Sequence, residues 1–197
     1  VHPLLVINCA GVFSEEIARM ADDRFFSIHP RRGTNSILDT KAGDYIHSIA
    51  SIKKLEPNTG HTKGGGTMHT VHHNLLVGPD AVETYDRENT ETHPESIDTV
   101  FKKQVTTMPI LKRGDIITYF TGVRAPTFEE DFIIEKGRNT HNLIHCAGIQ
   151  SPGLTTAPAV ALDIEKMAVQ MLYANGKKAE RNESFNPVRK GYVHLRD

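Results

Sequence analysis

An α+β fold with α/β pieces at its two ends is what the sequence predicts, and three observations carry it. Leu4–Ala10 is a short, continuous apolar run followed by a helical pattern, as a parallel strand covered on both faces would read. Leu143, Ile144, Cys146 and Ala147 form a second apolar strand, followed by a glycine-rich turn and a long helix. Between the two ends, short strand patterns separated by turn residues predict a mixed, mostly antiparallel sheet with helical cover.

The elements follow in order. Ser14-Glu-Glu-Ile-Ala-Arg-Met20 reads as a helix with a capping serine and an acidic first turn. Phe25–His29 and Asn35–Asp39 read as strands around a Pro30-Arg-Arg-Gly33 turn. Further strands are predicted at Ile46–Ile52, Asn74–Val77, Ile116–Val123 and Phe132–Glu135. Ile97, Val100, Phe101 and Val105 fall at helical spacing after Pro94-Glu-Ser96, and Pro109 ends that helix. The last helix is predicted from about Pro158 to Tyr173. Ala161, Ile164, Ala168, Met171 and Leu172 form its apolar face, and Asn175-Gly176 stops it. Lys53–Gly66 and Glu83–Glu95 read as polar loops.

The 197 residues suit one domain, or one domain plus part of another. The net charge of −1 indicates no general attraction to nucleic acid. No apolar run is long enough to span a membrane, and no stretch reads as a signal peptide. Cys9 and Cys146 each lie in an apolar strand, where free cysteines are usually buried, and two thiols make no disulfide framework. A cytoplasmic setting is expected, compatible with peripheral attachment to a membrane.

The most informative stretch is His145-Cys-Ala-Gly-Ile-Gln-Ser-Pro-Gly-Leu-Thr-Thr-Ala-Pro-Ala-Val-Ala161. Gly148 and Gly153 leave the backbone room to approach a ligand, Thr155 or Thr156 can cap the helix, and Pro158 suits its first turn. A helix opening this way aims unpaired N–H groups and its positive dipole end at the turn, favouring an electron-rich oxygen, a carboxylate or a phosphate. The plain alternative is a strand-to-helix connection with ordinary turn residues.

Taken together, this stretch, Val6-Ile-Asn-Cys-Ala-Gly-Val-Phe-Ser14, Val71-His-His-Asn-Leu-Leu-Val-Gly-Pro79, and Gly122-Val-Arg-Ala-Pro126 with Asp131-Phe-Ile-Ile-Glu135 resemble, in order and spacing, FAD-dependent oxidoreductases of the D-amino-acid-oxidase superfamily. The glycerol-3-phosphate dehydrogenase branch is the most similar. The resemblance covers nearly the whole chain. It implies that residues 1–23 and 139–176 belong to a Rossmann-like FAD-binding domain, 24–138 to a substrate domain, and 177–197 to a polar tail. It also implies FAD contacts from Ala10, Gly11, Gly148, Ile149, Gln150, Ser151, Gly153, Leu154 and Thr155, where the dipole of the following helix would stabilise a reduced flavin.

Arg124 ends an apolar strand, and its planar, always charged fork suits a carboxylate or phosphate; the resemblance puts it in the substrate pocket. His72 matches the residue usual in the family, and a neutral imidazole can handle a proton near pH 7, so it is the candidate catalytic group. His69 and His73 depart from the family pattern. On a strand they would share one face, and with His61 they invite a metal reading. No H-E-x-x-H pattern supports it, and no metal is expected. Pro30-Arg-Arg-Gly33 could be a phosphate patch but reads better as a turn without a catalytic role.

The family's strand and G-x-G-x-x-G turn, which hold the FAD pyrophosphate, are missing: Gly64-Gly-Gly66 follows Asn58-Thr-Gly-His-Thr-Lys63, not a buried strand. The chain therefore reads as the C-terminal part of a longer flavoenzyme that oxidises sn-glycerol 3-phosphate to dihydroxyacetone phosphate, its partners a small anionic substrate and the N-terminal FAD-binding part. The alternatives are a 2-hydroxy-acid or amino-acid oxidoreductase, or a non-catalytic partner-binding module. Without that turn, the chain alone is expected to be inactive and to bind FAD weakly or not at all. Purified chain should be colourless; stoichiometric flavin absorbance would show the turn to be dispensable.

Overall fold

A computed structural model describes residues 2–51 and 65–188. The elements run β1 Val6–Asn8, α1 Ser14–Met20, β2 Arg31–Leu38, β3 Ala50–Ser51, β4 Gly66–His69, β5 Leu75–Gly78, β6 Val82–Glu83, α2 Pro94–Val105, β7 Ile116–Arg124, β8 Ile133–Lys136, β9 Leu143–Ala147 and α3 Gly153–Ala174. A small sheet has the order β1-β9-β8, with β1 and β9 parallel and β8 antiparallel to β9. The larger sheet runs β3-β4-β5-β2-β6, with β7 lying along β2, and every pair in it is antiparallel. The α+β class is thus observed. β8, on the far side of the expected boundary at residue 138, joins the small sheet.

The period-2 side chains of β2 and β5 and the 3.6-residue stripe of α2 meet in one core. Leu38, Leu75 and Val77 pack with Val100 and Phe101, joined by Met108 and Leu111. Full burial of a leucine such as Leu38 or Leu75 contributes about 1.5–3 kcal/mol. A second cluster packs Ala18 of α1 with Phe26, Ile28, Ala125 and Ala147. A third holds α3 to the small sheet through Ile144, Ile164 and Met171. The α3 C-terminus closes by paired bonds, Gly176 N–H to Tyr173 O and Lys177 N–H to Leu172 O, as the Asn175-Gly176 stop requires.

Several local expectations are corrected. The Leu4–Ala10 run contributes only three strand residues, and Val6 and Ile7 stay 36% and 42% exposed, because among the described residues β1 is a sheet edge with β9 as its one neighbour. Ser14 is buried inside α1 and makes no cap, its backbone carbonyl instead accepting from Asn8. Phe25–His29 is not a strand: only Ile28 bridges to Thr127, while the Phe25 and Phe26 rings turn edge-on to His145. Arg31-Arg-Gly33 is strand rather than turn, since β2 begins there and pairs with both β6 and β7. Of Ile46–Ile52 only Ala50–Ser51 is strand, and Ile52 lies outside the described residues.

Helix α3 begins at Gly153, so Pro158 sits inside it and neither Thr155 nor Thr156 is its cap. Thr156 instead bonds back to the Pro152 and Gly153 carbonyls. Ala161 faces out, its place in the packed stripe taken by Val160 and Met167. Cys9 is exposed just past the end of the edge strand β1, and Cys146 is half-buried against the Ile144, Ile164 and Met171 cluster.

Residues 138–140 are tied to the end of the α1 region by one carboxylate. Asp23 is 1% exposed, and its oxygens accept from Arg138 N–H and Thr140 N–H, both at 2.9 Å. Burial raises its pKa, but the backbone donors at Thr140, Arg138 and Asn139 and the nearby His145 outweigh this and hold it below the ordinary aspartate value. A depressed carboxylate contributes stability above its unfolded pKa of about 3.9 and loses it as pH falls through the lower folded value. Asp23→Asn should therefore cost about 1.5–3 kcal/mol near neutral pH and less in acid. Urea midpoints of both proteins measured on either side of the carboxylate range test this; equal differences at both pH values would refute it.

Candidate functional site

Two turns meet at one cleft. β1 ends at Asn8, and the chain turns through Ala10 and Gly11 into α1; β9 ends at Ala147, and the chain turns through Gly148–Pro152 into α3. Because β1 and β9 pair in register, Asn8 opposite His145, both turns open at the same end of the small sheet. The end of β7 closes a third side. The resulting cleft, about 800 Å³, is lined by Ala10, Gly11, Val12, Val123, Arg124 and Ala125, with Cys9 and the run from Ile149 to Thr155. It thus brings together Arg124 and all but one of the residues expected to contact FAD.

The exception is Gly148, which sits behind the cleft with a φ of +67°, and a side chain there would meet Asp131 O at 2.7 Å. Gly153 likewise serves the turn itself. It has no left-handed backbone, and an added Cβ would lie 2.5 Å from the Ile149 side chain. The room these glycines give is therefore taken up by the protein, not kept open for a ligand. What remains for a ligand is the start of α3. No side chain caps it, so its first N–H groups and positive dipole end face the cleft.

Arg124 lies across β2. Its guanidinium rests over Gly33, where an added Cβ would stand 2.8 Å from Nη2. Nη2 donates to Asp80 O at 2.6 Å and Arg32 O at 3.0 Å, while Nε is buried without a hydrogen-bond partner. Burial, then the neighbouring Arg31 cation, draw its pKa below the ordinary arginine value. Arg124 also lines a second cleft of about 470 Å³ between β2 and α2, with Arg32, His93 and Lys103. A cation thus stands where two clefts meet.

The cleft is fastened from below by a network that sequence reading missed. Arg31 is 2% exposed; its Nε donates to Glu83 and its Nη2 to Glu130, each at 2.6 Å. Burial alone would lower the Arg31 pKa, but the two carboxylates raise it above the usual value. Glu130 holds the rare positive φ of +57°, and its other oxygen accepts from Gln150 Nε2 at 2.8 Å. The ion pair thereby pins the glycine-rich turn to β2. The one sequence signal was the Arg31-Arg32 pair, read as a turn because its acidic partners are far away in the chain.

His72 is placed elsewhere. It is exposed in the β4–β5 turn, its N–H bonded to Thr70 Oγ1, and it does not line the cleft. Its expected proton-handling role finds no support in this position. His69 and His73 do come together, with stacked rings 5.5 Å apart, but they bond Gly43 O and Asp44. Among the described residues no group of three or more metal-ligating side chains gathers, and His61 lies outside them.

Comparison with known proteins gives the geometry a family. Residues 2–167 match the FAD dependent oxidoreductase family known as DAO. A glycerol 3-phosphate dehydrogenase of Caloramator mitchellensis is 37% identical over 188 residues, covering 94% of this chain and 37% of that protein. A glycerol 3-phosphate oxidase of Mycoplasma genitalium is 31% identical, covering 92% of this chain and 46% of its own length. The structure of L-alpha-glycerophosphate oxidase from Mycoplasma pneumoniae with FAD bound superposes with a TM-score of 0.69 at 25% identity, over 83% of this chain and 42% of that one. The chain spans less than half the length of these relatives.

The pinning network makes a prediction. Glu130→Gln weakens both the Arg31 and the Gln150 contacts and should cost about 1.5–3 kcal/mol, the range for bonds to a charged group. Gln150→Ala removes one bond alone and should cost less. Urea unfolding of the two variants checks the order, and a costlier Gln150→Ala would contradict it.

Proposed function

The chain belongs to the DAO family of FAD-dependent oxidoreductases, and we propose that it forms the substrate-facing and ring-facing part of an enzyme oxidising sn-glycerol 3-phosphate to dihydroxyacetone phosphate. The observation that carries this reading is the single cleft on which Arg124, both turns and the uncapped start of α3 converge. The relatives' names supply the substrate.

The cleft suits the ring end of FAD. Ala10 and Gly11 leave one wall without large side chains, and an added Cβ at Gly11 would meet open space. Gly153 N–H is already bonded to Gln150 O, so it is the N–H groups of Leu154 and Thr155 that can donate to ring oxygens, with the α3 dipole favouring negative charge beside them. When bound, the cofactor supplies the hydride acceptor. The described residues offer no pyrophosphate-binding turn, so that part of FAD would be held by the segment the relatives carry in addition.

The chain's own residues bind and orient. Arg124, which lines the cleft, holds the anionic end of the substrate by charge-assisted hydrogen bonds. Arg32 and Lys103 line the adjoining cleft beyond it, together with Asp80 and Glu95, and can give a phosphate more than one cationic partner. Gln150, fixed through Glu130, keeps the turn in place against the ring. No helix among the described residues is long and apolar enough to cross a membrane. A cytoplasmic enzyme, able to sit at a membrane surface, remains the proposal for its setting.

Arg124→Ala is the direct test, made in a protein carrying this chain together with the FAD-binding segment. Losing a buried charge-assisted contact costs about 2–5 kcal/mol, so kcat/KM for glycerol 3-phosphate should fall on the order of 30-fold or more, at about 1.4 kcal/mol per decade, with flavin content unchanged. Gly33→Ala, which displaces the guanidinium without removing it, should raise KM while sparing flavin binding. Unchanged kinetics in Arg124→Ala with full flavin occupancy would end the substrate role. Parallel assays with 2-hydroxyglutarate and glycine separate the related oxidations.

A further inference from the structure

Neither cysteine has a part in the substrate and cofactor roles described above, yet the fold brings them together. β1 and β9 pair in parallel up to Asn8 opposite His145, and Cys9 and Cys146 are the residues that follow on the two chains. Asn8 and His145 are hydrogen-bonded to each other on one face of the sheet, at 3.1 Å. Side chains alternate along strands, so the two cysteines share the opposite face. Neighbouring strands lie about 4.8 Å apart, inside the Cα separation of roughly 4.4–6.8 Å that a disulfide spans. The Cys146 side chain is within hydrogen-bonding reach of Cys9.

Their surroundings differ in the way a reacting and a resolving thiol differ. Cys9 is exposed and lines the cleft, where a small solute has access. Cys146 is half-buried among Ile144, Ile164 and their neighbours. Burial, and then the adjacent Cys9, push its thiol up to about 11, so it stays protonated and is the slower to be attacked directly.

We propose that Cys9 and Cys146 form a reversible dithiol–disulfide modification site, oxidised by hydrogen peroxide entering through the cleft. The Cys9 thiolate attacks one peroxide oxygen; the S–O bond forms, the O–O bond breaks, and hydroxide leaves to take up the proton Cys9 gave up. The Cys146 sulfur then attacks the Cys9 sulfenic sulfur; the S–S bond forms, the S–O bond breaks, and the Cys146 proton leaves with the departing oxygen as water. Two thiols and one peroxide give one disulfide and two waters, with two electrons passing from sulfur to oxygen. The bridge stands at the head of the Ala10-Gly11 turn and fastens the two strands from which both cleft turns spring. Neither step involves the cofactor.

The test uses the reduced chain treated with a stoichiometric amount of hydrogen peroxide, alkylated, digested and read by mass spectrometry. Both thiols should be lost together, the Cys9 and Cys146 peptides should be joined, and dithiothreitol should restore them. With Cys146→Ala, the Cys9 sulfenic acid has no partner and should accumulate as its dimedone adduct, which the wild type should not form. Cys9→Ser changes an exposed position and should leave Cys146 unoxidised at the same dose. Circular dichroism of each variant establishes that it is folded. A wild-type chain carrying the dimedone adduct on Cys9 beside a free Cys146, or one whose disulfides join two copies, would overturn the proposal.

Discussion

Much of this structure depends on one buried cation. Arg31 carries a full charge at 2% exposure, a placement that burial opposes unless carboxylates meet it. Glu83 and Glu130 do so, and each brings a different part of the chain with it. Glu83 comes from β6, where burial would raise its pKa but His29 and Arg31 hold it below the ordinary glutamate value. Glu130 comes from the loop between β7 and β8 and carries the Gln150 contact. A buried charge tolerates few alternatives, so the ion pair fixes how the large sheet meets the glycine-rich turn.

The same logic places Arg124. β2 pairs with β7 so that Arg31 stands opposite Arg124, and two cations side by side would repel unless each had its own partners. Arg31 takes the carboxylates, while Arg124 is left with backbone carbonyls and one buried, unpartnered Nε. Arg124 also lines the cleft, where an anionic ligand can meet its charge. Gly33 makes the arrangement possible, because any side chain there would occupy the space the guanidinium needs.

The small sheet is organised by a buried histidine. His145 is fully buried between the Phe25 and Phe26 rings, and burial lowers its pKa despite the nearby Asp23. Asn8 Nδ2 donates both to Ser14 O and to His145 Nδ1, which leaves the ring proton on Nε2, toward Asp23 at 4.0 Å. This set joins β1, α1 and β9 behind the cleft, and it accounts for Phe25 and Phe26 leaving the strand that their apolar pattern suggested.

Local chemistry was enough to find most of the elements and both cleft turns. Apolar runs marked β5, β7 and β9, helical spacing marked α2, and Gly11 with the Gly148–Gly153 stretch marked the turns, because each pattern is written in neighbouring residues. The sequence by itself also determined the family, through four ordered motifs. Only the tertiary structure decided what depends on residues distant in the chain. Arg31 reads as a turn until Glu130, 99 residues later, is seen against it. The side of Gly153 where a Cβ would stand is filled by Ile149, and His72 lies on an exposed turn that does not line the cleft; neither fact is written in the neighbouring residues. Burial and charge pairing are properties of contacts, and a linear pattern shows only the nearest of them.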